Sequence, residues 1–130
     1  MKRLLIALVP LLAAGCASPS DRGTAAAAAA NRLLTAVAAK DGAGACAVLA
    51  PDTGAEVAQS ADKPCSEAIL DDDLPRPGRV LGTEVYGRRA QVRLDDDTVF
   101  LAVFPDGWRV VAAGCTPQGE KPYDCQVEAS

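Results

Sequence analysis

The sequence predicts an α+β fold: N-terminal helices packed on a curved antiparallel β-meander. Three observations carry it. Apolar residues recur at three-to-four spacing before residue 70. The segment Asp71-Asp72-Asp73-Leu74-Pro75-Arg76-Pro77-Gly78 then breaks the pattern with two prolines and a glycine. From Arg79 onward short apolar stretches alternate with turn residues. Helices followed by strands, rather than the two interleaved, indicate a helical layer and a separate antiparallel sheet. The chain thus divides into a leader over 1–15, a tether over 16–23 and one domain over 24–130, helical over 24–70 and sheet over 79–127. A plain three-helix-plus-sheet domain is the alternative fold.

The elements follow in order. Thr24 is the expected cap of a first helix with its body from Ala25 to Lys40. Its alanines favour helix, and Ala26, Ala30, Leu33, Leu34 and Val37 form one face. Asp41-Gly42 ends it. Ala45 to Ala50 is a short apolar turn of helix stopped by Pro51. Asp52 or Thr53 is expected to cap a second short helix through Gln59, and Pro64 to Leu70 a third.

Strands are expected at Arg79–Tyr86, Arg89–Leu94, Thr98–Phe104, Trp108–Ala113 and Tyr123–Val127. Arg89–Leu94 alternates, with Ala90, Val92 and Leu94 on one side. Thr98–Phe104 is apolar on both faces, as a central strand should be. Pro105-Asp106-Gly107 is a hairpin turn.

The opening segment reads as an export signal. Lys2 and Arg3 precede an apolar run from Leu4 to Ala14, interrupted only by Pro10. A bilayer span needs roughly 20 apolar residues, so this run is too short to be one. Leu12-Ala13-Ala14-Gly15-Cys16 resembles the lipobox of bacterial lipoproteins, although Ala13 stands where leucine is commonest. The resemblance implies cleavage before Cys16 and a diacylglyceryl group on its thiol. It places the protein on the outer face of the cell membrane, held by lipid. Each buried methylene contributes about 0.8 kcal/mol, and stable anchoring needs more than one chain. The alternative is an ordinary signal peptide cut near Ala14, with Cys16 free or paired.

Five cysteines leave an odd one, which lipidation of Cys16 would account for. Cys46, Cys65, Cys115 and Cys125 then allow three pairings. Cys46–Cys65 and Cys115–Cys125 are expected, because each pair lies within one half of the domain. Loops of that size stabilise by about 3 kcal/mol each in the chain-entropy model. The contribution matters in a chain with two Phe, two Tyr and one Trp.

Composition narrows the function. The chain has no histidine, which removes the commonest general base and metal ligand. Without Lys2 and Arg3, the 13 basic residues become 11 against 17 acidic ones, a net charge of −6. That balance argues against nucleic acid as a partner, and against direct attraction to anionic headgroups. The aspartate triplets at 71–73 and 95–97 lack the ligand pattern of a Ca²⁺ loop and are expected to be solvated turns. No metal or cofactor is expected.

The order of helices and strands, with VRLDDDTVFLAVFPDGWRVVAAGC, resembles small actinobacterial lipoproteins and exported proteins of the nuclear transport factor 2-like superfamily. The resemblance spans roughly residues 24–127 and implies a cone, a curved sheet wrapped on a long helix. The early strand usual in that family is not evident. The cone hosts isomerases and cyclases that use a buried carboxylate. Glu84 and Tyr86, at i and i+2 on one strand, are the candidates for that chemistry. Phe104 and Trp108, which flank the Pro-Asp-Gly turn, are candidates to line a pocket between helix and sheet. Tyr123 is a candidate anchor in a protein-binding tail. The leading expectation is a non-catalytic binding or accessory domain of the cell envelope, whose partner is an envelope protein or a small apolar ligand. An isomerase- or cyclase-like enzyme and a structural envelope protein are the alternatives.

Overall fold

The computed structural model describes residues 18–130. The leader and Cys16 lie outside the described residues. Four helices come first: α1 (Pro19–Ala38), α2 (Gly42–Val48), α3 (Pro51–Ala61) and α4 (Cys65–Ala68). Five strands follow: β1 (Val80–Tyr86), β2 (Arg89–Leu94), β3 (Thr98–Phe104), β4 (Gly107–Gln118) and β5 (Lys121–Glu128). The strands form one antiparallel sheet in the order β1-β2-β3-β4-β5, with β3 at its centre. The fold is therefore α+β.

Helix α1 begins five residues earlier than Thr24, inside the segment expected to be tether. The Ser18 hydroxyl caps it by accepting from the Asp21 amide at 3.2 Å. Pro19 fits the first helical position, where no amide partner is needed. Asp21 adds a carboxylate to the positive end of the helix. Thr24 is one turn inside, where its hydroxyl donates to the Ser20 carbonyl at 3.0 Å. The polar residues 18–21 are thus helix-starting residues, the feature that made them look like linker.

One face of α1 buries Ala26, Ala29, Ala30, Leu33 and Leu34. They pack on Ala90, Val92 and Leu94 of β2, Val99 and Leu101 of β3, Val110 and Ala113 of β4, and Val127 of β5. The small alanines let the helix approach the sheet closely while the leucines fill the centre. Fully burying a leucine or valine side chain contributes about 1.5–3 kcal/mol.

Helices α2 and α4 carry few large side chains and are joined by the Cys46–Cys65 disulfide. They touch closely: a Cβ on buried Gly42 would stand 1.7 Å from the Ser66 carbonyl oxygen. A second disulfide joins Cys115 of β4 to Cys125 of β5, which are opposite one another in register. Both pairs are those expected from their positions along the chain.

The start of α3 is held by the sheet. Leu49 bridges Val110 in a parallel sense, and the Ala50 amide donates to the Val110 carbonyl at 2.7 Å. Arg109 donates to the Leu49 carbonyl at 3.2 Å. Neither Asp52 nor Thr53 is the cap, which falls on Ala50 with Pro51 first in the helix. The buried Thr53 hydroxyl instead donates to the Val111 carbonyl at 2.9 Å. Residues 49–53 thereby cover the part of β4 that lies beyond its pairing with β5.

The second aspartate triplet is not wholly solvated. Asp97 is 6 % exposed, and its carboxylate accepts from the Gly114 amide at 3.1 Å and the Cys115 amide at 3.0 Å. Gly114 has φ +65°, and a Cβ there would meet Gln126 at 2.8 Å. Asp97 and a glycine together hold β4 at this point.

Candidate functional site

The face of the sheet turned away from α1 carries a groove of about 740 Å³. Strand alternation sets its floor. Val99 and Leu101 point to α1, so Phe100, Ala102 and Phe104 point the other way. The β3–β4 register shifts between Phe100 and Leu101, which places two consecutive β4 residues, Val111 and Ala112, opposite Phe100. Both line the groove. Ala102, small and central, leaves the space that a larger residue would fill.

Two walls rise from this floor. One is the start of α3, with Pro51 and Asp52, fixed by the bonds of residues 49–53 to β4. The other is β5, with Pro122 and Tyr123. Tyr123 packs edge-on against Phe100, ring centres 5.1 Å apart, and its hydroxyl accepts from Gln91 at 3.2 Å. An aromatic pair of this geometry adds about 0.5–1.5 kcal/mol beyond its buried area. Tyr123 is therefore a packed wall residue, not a free anchor in a tail. Arg89 and Glu128 place one charge of each sign on the rim.

The four candidate pocket residues are dispersed. Glu84 and Tyr86 share the outer face of β1, where the Tyr86 hydroxyl donates to the Glu84 carboxylate. Tyr86 is 64 % exposed, and Glu84 is exposed beside it. The Glu84 hydrogen bond, with its charge, raises the Tyr86 phenol above its ordinary pKa. A raised-pKa carboxylate base requires desolvation, so exposed Glu84 does not fit that role. Phe104 lines the groove. Trp108 lies on the opposite side of the sheet, packed against the core, with the Arg22 guanidinium 5.8 Å from its ring centre. No pocket joins Phe104 to Trp108, because leucine and valine fill the space between α1 and the sheet.

The desolvated carboxylate is Asp97. Burial pushes its pKa up, partly offset by the amides of Gly114, Cys115 and Thr98. It does not line the groove, and it is committed to backbone amides. Among the described residues no group of three or more Cys, Asp or Glu is arranged to hold a metal ion. No helix among them is long and apolar enough to cross a membrane.

Sequence reasoning missed Arg89, Phe100 and Tyr123 as groove residues. The available signal was Thr98–Phe104, apolar on both faces in a domain with one long helix to cover it. One face of such a strand stays partly open.

No protein-family model matches the chain, and no curated protein or solved structure is significantly similar to it.

Proposed function

We propose that this protein is a lipid-anchored extracytoplasmic binding domain, held through Cys16 at the outer face of the bacterial cell membrane and carrying a small apolar ligand in the groove on its sheet. The groove is the observation that carries the reading. Ligand sites are mostly apolar concavities of roughly 300–1,000 Å³ with a few polar groups, and this one has an aromatic and alanine floor with Arg89 and Glu128 at its rim. The lipobox-like LAAGC supplies the anchor. The cone of the nuclear transport factor 2-like superfamily belongs to the same proposal. Register shifts between β1 and β2, β3 and β4, and β4 and β5 support a curved sheet, since each bulge bends its strand.

The test combines intact mass with a groove-filling variant. Protein from host membranes should show cleavage before Cys16, added acyl chains and an apolar molecule retained under native conditions. Ala102→Trp should keep the fold and the acyl mass, and lose the molecule along with binding of an anilinonaphthalene sulfonate probe. Equal retention and equal probe binding in Ala102→Trp would remove the groove from the proposal. An unlipidated mass would remove the anchor.

A further inference from the structure

The net charge of −6 hides a separation of charge between two ends of the domain. Gly87-Arg88, between β1 and β2, and Pro105-Asp106, between β3 and β4, are at the same end of the sheet. The first turn of α1 joins them, since Arg22 donates to the Gly87 carbonyl and lies over Trp108. This end holds Arg22, Arg88, Arg89 and Arg109. Arg109 is neutralised by a two-pronged pair with Asp106, and Glu84 is occupied by Tyr86. Arg22, Arg88 and Arg89 therefore stand against Asp21 alone. Exposed Tyr86 is the cross-strand partner of Arg89, adding an aromatic of the kind favoured at headgroup level.

The other end is acidic. Asp95 and Asp96 form the β2–β3 turn, and Asp73 borders the same depression as Asp96. Six strand residues separate the two ends by about 20 Å. That exceeds two Debye lengths of about 8 Å, so a charged surface at one end is screened from the other.

The tether sets which end meets the membrane. Ser18 already caps α1, one turn from Arg22. Only two residues separate it from Cys16, a reach of at most about 7 Å. We infer that the end formed by the first turn of α1 and the β1–β2 and β3–β4 turns docks on anionic phospholipid headgroups, with the acidic end facing outward. The inference rests on the lipid anchor proposed above. It also sets Arg89, at the groove rim, beside the bilayer.

Arginine footprinting tests it. Protein purified from host membranes is weighed intact, then reconstituted in vesicles of phosphatidylcholine, with or without phosphatidylglycerol. Modification by phenylglyoxal is followed at each arginine by peptide mass. On phosphatidylglycerol vesicles Arg22, Arg88 and Arg89 should react several-fold more slowly than in detergent, while Arg76 and Arg79 keep their rates. High salt should restore reactivity in the unaltered protein, and phosphatidylcholine alone should protect less. Replacing Arg88 and Arg89 by Ser should weaken the protection of Arg22 about fivefold for each arginine lost. Equal reactivity of both ends on anionic vesicles, in protein whose mass includes acyl chains, overturns the docking. A mass without acyl chains overturns the anchor instead. Co-sedimentation of that chain then decides the docking: salt-sensitive binding to phosphatidylglycerol vesicles alone sustains it, and absence of binding refutes it.

Discussion

Replacing Asp97 by Ala should destabilise the domain by about 3 kcal/mol, although the residue lies in a turn of three aspartates. Its carboxylate accepts from the amides of Gly114 and Cys115 at 3.1 and 3.0 Å. Truncation leaves both donors unpartnered, each at about 1–3 kcal/mol. Removing a buried carboxylate also relieves its desolvation, which keeps the loss near the middle of that range. At about 4 °C per kcal/mol for a domain of this size, the melting temperature should fall by about 12 °C. Asp96→Ala, at an exposed position of the same turn, should stay within about 0.5 kcal/mol of the parent. Urea unfolding followed by Trp108 fluorescence measures both. Acidity adds a second test. Burial raises the folded pKa of Asp97 above the ordinary 3.8, so the folded state holds this proton more tightly than the unfolded chain. The stability it contributes is fully present below the ordinary value and is lost as pH rises through the raised one. The stability of the parent relative to Asp97→Asn should therefore be greater near the ordinary value than at neutral pH. Equal losses in the Asp96 and Asp97 variants would refute the reasoning, as would a difference independent of pH.

Three further outcomes are expected. Thr53→Val should cost about 1–2 kcal/mol by leaving the Val111 carbonyl without its buried donor, with Leu49 and Ala50 losing hydrogen-exchange protection first. Gly114→Ala should lower the urea midpoint by about 2 kcal/mol or more in stability, because its φ of +65° strains any side chain and the new Cβ meets Leu74 at 2.9 Å as well as Gln126. Replacing Cys46 and Cys65 by Ser opens a loop with a sequence separation of 19. That should cost about 3 kcal/mol, read as a melting temperature lower by about 12 °C in calorimetry.

Much of the sheet was legible because its strands obey local rules. Arg89–Leu94 and Thr98–Phe104 fall within the expected limits, since alternation and flanking turn residues fix both ends. Strand β4 runs to Gln118 rather than Ala113 because the pairing with β5 and the Cys115–Cys125 bond carry it through Gly114. That extension depends on a partner strand, which a local pattern does not contain. The early start of α1 was written in Ser18-Pro19-Ser20-Asp21, a cap signal that composition made resemble a linker. Asp97 was hidden for a different reason. Its partners are amides 17 and 18 residues away, and three consecutive aspartates look alike until the chain folds. The groove was concealed in the same way: Phe100, Ala102 and Phe104 read as core because the sequence does not say which face of a sheet goes uncovered.

The pairing of consecutive cysteines has a bearing on how the protein matures. A chain entering an oxidising space from its N-terminus presents Cys46 and Cys65 before Cys115 and Cys125. The first bond can close while the later cysteines are still absent, so neither crossed pairing competes with it. The second bond then joins the only two of these four thiols left. Reshuffling of wrong bonds takes seconds to hours. Here the order of arrival alone yields Cys46–Cys65 and Cys115–Cys125, and the domain can reach its oxidised form without a disulfide isomerase.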